Sequence, residues 1–141
     1  MSELLKYSLP ILGVIIGASI QFLFSNKNEN KKQQRLLKTT AYTDFLKAVA
    51  GLAITQKYGD KEKEMEYLIL LSDAKARVSV YGNDEVVKGI ADFWRIGPKL
   101  NNPKSNKAYS ILVLEMRKDN LKSVKTELKD ISQLLLSEDI Q

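Results

Sequence analysis

Residues 7–24 read YSLPILGVIIGASIQFLF; no charged side chain interrupts them, and the nearest charges are Lys6 before and Lys27 after. A helix rises about 1.5 Å per residue, so crossing a hydrocarbon core near 30 Å takes roughly 20 residues, with a working range of about 17 to 25. The stretch meets that length. A cleaved signal sequence would carry a shorter apolar region ending in small residues, whereas this one ends on Phe22, Leu23 and Phe24. The expectation is therefore an uncleaved transmembrane helix, preceded by a short tail, within residues 1–26.

The charges that follow orient it. Residues 27–40 hold Lys27, Lys31, Lys32, Arg35 and Lys38 against Glu29 alone, and most of the chain's net charge of +5 resides there. Basic residues flanking a span stay on the cytoplasmic side. This predicts a single-pass protein of the inner (cell) membrane, with its N-terminus outside and everything after Asn26 in the cytoplasm. In this basic juxtamembrane segment, Lys27, Lys31, Lys32 and Arg35 are candidate contacts to anionic lipid. No aromatic residue is interleaved with the basic run before Tyr42, and single-strand binders stack bases on such residues, so the pattern argues against nucleic acid.

Gly13, Gly17 and Gln21 are spaced by four and share one helix face. Small residues let two backbones approach closely in lipid, and a Gln side chain finds a hydrogen-bonding partner in a neighbouring copy. The three form a candidate transmembrane self-association face, and the expected assembly is a homo-oligomer.

Chemistry has little to work with. The 141 residues include no cysteine and no histidine, which removes disulfides, thiolate and imidazole metal ligands, cysteine nucleophiles and histidine bases. Neither a GxGxxG nor a GxxxxGK[ST] loop occurs. Asp60, Glu62, Glu64 and Glu66 lack the turn glycine and terminal glutamate of a calcium loop, and read as an acidic helix start. No enzyme activity, metal or cofactor is expected. Asp73 and Arg77, four apart on a helix, read as a rim ion pair.

Residues 41–141 read as an all-α cytosolic helical bundle, because apolar positions recur at three and four. The asparagine-rich stretch 26–30 is the expected flexible joint. A first cytosolic helix should run from about Lys31 to Tyr58 and stop at Gly59. Asp60 should cap a second helix to Tyr81, and Asn83 a short third that ends at Gly97 and Pro98. After the loop GPKLNNPKS, Ser105 should cap a last helix, residues 106–136, in which Leu121, Val124, Leu128, Ile131 and Leu135 form a 3-4 seam. Short links force antiparallel neighbours, which predicts an antiparallel four-helix bundle behind the transmembrane helix.

The second of these helices is apolar twice. Met65, Leu68, Ile69, Ser72, Ala76 and Val80 share one face; Tyr67, Leu70, Leu71, Ala74, Val78 and Tyr81 share the opposite one. Tyr67, Leu70, Leu71, Ala74 and Val78 are thereby a candidate subunit interface, the alternative being that they pack within the chain.

The order of parts resembles small uncharacterised bacterial single-span membrane proteins with a cytosolic helical bundle. The resemblance is carried by the span, AYTDFLKA (41–48), DAKARVSVYGNDEVVKGIADF (73–93) and LEMRKDNL (114–121). More distantly, the arrangement is similar to membrane accessory proteins of RNA-guided antiviral defence, whose bundle is related to the HEPN nuclease fold. That resemblance implies assembly around an axis and permeabilisation of the inner membrane; the absence of the HEPN histidine implies no nuclease activity. The expected function is a membrane-anchored, self-associating protein acting as a pore-forming or membrane-depolarising effector. The alternative is a tether or scaffold that holds a cytosolic partner protein.

Overall fold

Helix ends in this chain are set by short polar caps and glycines. The computed structural model, which describes the backbone of residues 2–138 and the side chains of residues 16–138, contains five helices. These are α1 (Ser2–Tyr58), α2 (Lys61–Tyr81), α3 (Asp84–Ile96), α4 (Pro103–Asn120) and α5 (Leu128–Leu136). Among the described residues there is no strand, so the chain is all-α.

Gly59, at φ 74°, takes the left-handed conformation that ends α1. Asp60 then accepts the Lys63 amide at 3.1 Å, and Asn83 accepts the Val86 amide at 2.9 Å, so two expected caps stand where the sequence puts them. Gly97, at φ 114°, closes α3.

Three expectations are corrected. The stretch 26–30 is helical and not a break in secondary structure: α1 runs through it without interruption. Each asparagine costs well under ~1 kcal/mol relative to alanine in a helix, and an already nucleated helix flanked by Lys, Gln and Leu carries that cost. The cap of the next helix is Asn102, which accepts the Ser105 amide at 2.9 Å, and Pro103 fills the first helical position its fixed φ suits. Ser105 is instead buried, its hydroxyl donating to the Lys99 carbonyl.

The last helix is two helices. Residues 121–127 are non-helical, and a capping box between Glu127 and Asp130 starts α5 afresh. Ser123, Val124 and Thr126 are weak helix formers beside that strong new start. The five-residue seam consequently does not form: Ile131 is buried, whereas Leu121 and Leu135 are 45% and 41% exposed.

The chain divides into two units, Met1–Leu36 and Leu37–Gln141. In the first, every described side chain from Ile16 to Leu36 is exposed, including Ile16, Ile20, Phe22, Leu23 and Phe24. Among the described residues no helix is long and apolar enough to cross a membrane. Residues 7–15 of the apolar stretch, with Gly13, lie outside the described side chains.

The second unit has one core. Ala41, Tyr42, Phe45, Ala48 and Val49 of α1 meet Leu71, Ala74 and Val78 of α2, Val86 and Phe93 of α3, and Tyr109, Leu112 and Met116 of α4. Phe93 packs at 5.5 Å from both Trp94 and Tyr109, and Trp94 reaches Phe45 at 6.1 Å, the spacing of favourable ring pairs. Gly51 lets α1 and α2 close together: a Cβ there would collide with the Tyr67 ring.

That approach decides between the two faces of α2. Leu71, Ala74 and Val78 are buried in the chain's own core, with Leu70 and Tyr67 half-buried beside them. The face expected as a subunit interface is therefore interior and not available to a neighbour. The opposite face stays in solvent, with Met65 59%, Ile69 65% and Val80 73% exposed.

Candidate functional site

Two polar nodes pin α1 to the rest of the second unit. The Tyr42 hydroxyl, on an otherwise buried ring, donates to Asp119 Oδ2 at 2.6 Å, and Lys38 Nζ lies 2.9 Å from the same oxygen. Burial, followed by the bond to Asp119 and that carboxylate's charge, holds the Tyr42 phenol far above its usual range. Thr39 and Asn120 add a hydrogen bond at 3.3 Å between the same two helices.

The second node corrects a sequence reading. Arg77 does pair with Asp73, Nη2 to Oδ2 at 2.6 Å, but the same nitrogen also reaches Asp44 of α1 at 2.7 Å. Hydrogen bonds to Asp44 and then Asp73 raise the guanidinium pKa further, so the group remains a fixed cation. It is an inter-helix clamp rather than a rim pair alone.

Beside the Tyr42 node lies an apolar groove of about 340 Å³ between α1, α4 and α5. Its floor is Met116 and Ile131, its walls include Thr43, Leu46 and Val113, and Leu121, Leu134 and Leu135 stand exposed at its edge. The groove exists because α5 is short. Its 9 residues extend about 14 Å, against about 27 Å for the 18 of α4, so part of the surface between α1 and α4 has no covering helix. Polar contacts hold α5 in place: Ser132 Oγ donates to the Glu138 carbonyl at 2.9 Å, and Asn106 Nδ2 to Glu138 Oε1 at 2.8 Å. Arg117 lines the groove, and the 121–127 segment joining two of its walls carries the exposed Lys122 and Lys125.

A smaller cavity of about 220 Å³ sits against Trp94, walled by Val49, Leu52, Leu68, Leu71 and Leu100 with Gln56 and Lys99 at its polar side. Lys75 covers the Trp94 ring at 4.2 Å, a cation–π contact. No acid and base converge there. Among the described residues no group of carboxylates is arranged to hold a metal ion.

Of the residues singled out from the sequence, Gly17 lies on α1 with open space where a Cβ would be, and Gln21 is exposed on the same helix. Lys27, Lys31, Lys32 and Arg35 are exposed on α1, and Lys31, Lys32 and Arg35 line one shallow concavity with Asn28 and Glu29. The sequence reading missed the groove, although one signal pointed to it. Leu134, Leu135 and Leu136 are consecutive, and three successive helical positions spread over too wide an arc to face one core. No family model matches the chain, and no curated protein or solved structure does so either.

Proposed function

We propose that the chain is a membrane-anchored, self-associating helical protein, in which a transmembrane helix at 7–24 leads into an antiparallel helical bundle on the cytoplasmic side. One observation carries this reading: the apolar side chains of Ile16, Ile20, Phe22, Leu23 and Phe24 stand exposed on a helix outside the packed core. Burying such side chains is worth roughly 1.5–3 kcal/mol each, and a bilayer supplies that burial to a single helix. The basic run beginning at Lys27 then meets anionic headgroups through Lys27, Lys31, Lys32 and Arg35. Gly17 and Gln21, with Gly13, give copies a face on which to meet in lipid. Permeabilisation of the inner membrane, as an effector of antiviral defence, is the activity that such an assembly of spans would supply.

The anchor is tested by fractionation: the protein should resist carbonate extraction from inner membranes, and a reporter fused at Gln141 should be active only in the cytoplasm. Periplasmic activity would overturn the topology. Gly17→Ile should lower the mass of the detergent-solubilised oligomer. Expression of wild type should collapse the membrane potential reported by a voltage-sensitive dye if the assembly permeabilises, and leave it intact if the span only tethers a scaffold for a partner.

A further inference from the structure

The second unit presents two unpartnered apolar surfaces of opposite charge, and they suit one another. The outer face of α2 carries Met65, Ile69, Ala76 and Val80, a stripe at helical spacing that remains in solvent. Glu62, Glu66 and Asp73 fall along one edge of that stripe at 100° per residue. The groove between α1, α4 and α5 is concave, apolar and edged by Leu121, Leu134 and Leu135, with Arg117 lining it and Lys122 and Lys125 on the adjoining segment. One surface is a convex acidic-edged helix; the other is an apolar groove with basic side chains in and beside it.

We propose that α2 of one copy seats in the α1/α4/α5 groove of the next, so that the cytoplasmic units associate head to tail. This inference rests on the self-association proposed above and names the surfaces that perform it. Recognition of this kind lays an amphipathic helix in an apolar groove, with anchors at i, i+4, i+11 and i+15, here Met65, Ile69, Ala76 and Val80. Complementary edge charges set its direction. Because the two surfaces are different patches of the same chain, a pair of copies still has one of each free. The interface is heterologous, and it propagates into a ring or an open row of subunits instead of stopping at a dimer.

The absence of cysteine makes a direct test available. Ile69 and Leu134 are 65% and 80% exposed, so Ile69→Cys and Leu134→Cys leave the core intact. Two full-length chains with different tags, one carrying each substitution, are co-expressed and their membranes oxidised with copper phenanthroline. The expected result is a two-chain band that contains both tags, absent when either variant is expressed alone. A single chain carrying both substitutions should give a ladder. Adding Glu66→Lys to the Ile69→Cys chain should remove most of the mixed band, and Arg117→Glu in its partner should restore it.

Bands from each variant alone, and no band carrying both tags from the mixture, would show a symmetric contact and overturn the proposal. An amine-reactive crosslinker run in parallel separates the two remaining failures. Oligomers trapped through lysine without the mixed disulfide would overturn this pairing and leave self-association standing. Monomer under both reagents would overturn self-association itself.

Discussion

The two sides of α2 are made of similar residues and have opposite fates. Leu71, Ala74 and Val78 are 7% exposed or less, whereas Ile69 and Val80, on the same 21-residue helix, are 65% and 73% exposed. A helix that is apolar all round tells a reader that two surfaces need partners, without saying which is supplied by its own chain. The answer lies in α1. Gly51 leaves the space that Tyr67 occupies, and Arg77 clamps onto Asp44, so α1 approaches from the inner side. The outer side is left for something else.

The sharpest way to break this contrast is a matched pair of charges. Val78→Asp places a carboxylate at a position 1% exposed, where an unpaired charge costs several kcal/mol, and the second unit should lose its cooperative thermal transition by circular dichroism. Ile69→Asp, on the outer face, should leave that transition within about 0.5 kcal/mol of wild type. Equal effects from both would mean the two faces do not differ as described.

A smaller loss is expected where α1 and α2 touch. Gly51→Val drives its side chain into the Tyr67 ring, and overpacking of this kind costs typically 1–3 kcal/mol in urea unfolding. Tyr67→Ala in the same chain should recover part of the loss, since it removes the obstructing ring. No recovery would locate the strain elsewhere.

Tyr42→Phe removes the hydrogen bond to Asp119 and should cost about 1–2 kcal/mol. It also predicts a pH dependence with a definite sign. The folded chain holds the Tyr42 phenol above its ordinary value of 10.0, so its contribution is fully present below pH 10 and is lost as the pH rises through the folded value. Burial likewise pushes Tyr109 to about 12. Wild type should accordingly weaken between about pH 10 and 12, and Tyr42→Phe should weaken less over that range, as read from urea midpoints.

The smallest effect belongs to Asp73→Ala. Its carboxylate is 59% exposed, and Arg77 keeps Asp44 when it is gone, so the loss should be about 0.2–0.5 kcal/mol. Asp44→Ala should cost more, because it unties α1 from α2. The reverse order would make Arg77 a local pair after all.

Local signals carried far in this chain. Gly59 with Asp60, then Asn83, and Gly97 with Pro98 placed the ends of α1, α2 and α3 correctly, because a cap or a left-handed glycine acts within one helical turn. They failed where two local preferences competed. Asn102 with Pro103 outranked Ser105 as a helix start, and the Glu127–Asp130 box split a helix whose apolar spacing alone read as continuous. Of the candidate site, the basic run and the four-residue spacing of Gly13, Gly17 and Gln21 were legible because each is a pattern on one element. The α1/α4/α5 groove was not, since its lining comes from residues 39–46, 113–121 and 131–135.

What the sequence determines by itself, then, is whatever depends on neighbours within a turn or on periodicity along one segment. That covers the uncharged stretch at 7–24, the basic run after it, the helical class, the first three helix ends and the two apolar faces of α2. Tertiary structure alone decided which of those faces is core, that Asp44 is the second partner of Arg77, and that α5 is too short to close the groove. Those outcomes turn on how helices of unequal length pack side by side, and burial is a property of the pair in contact, which neither helix encodes on its own.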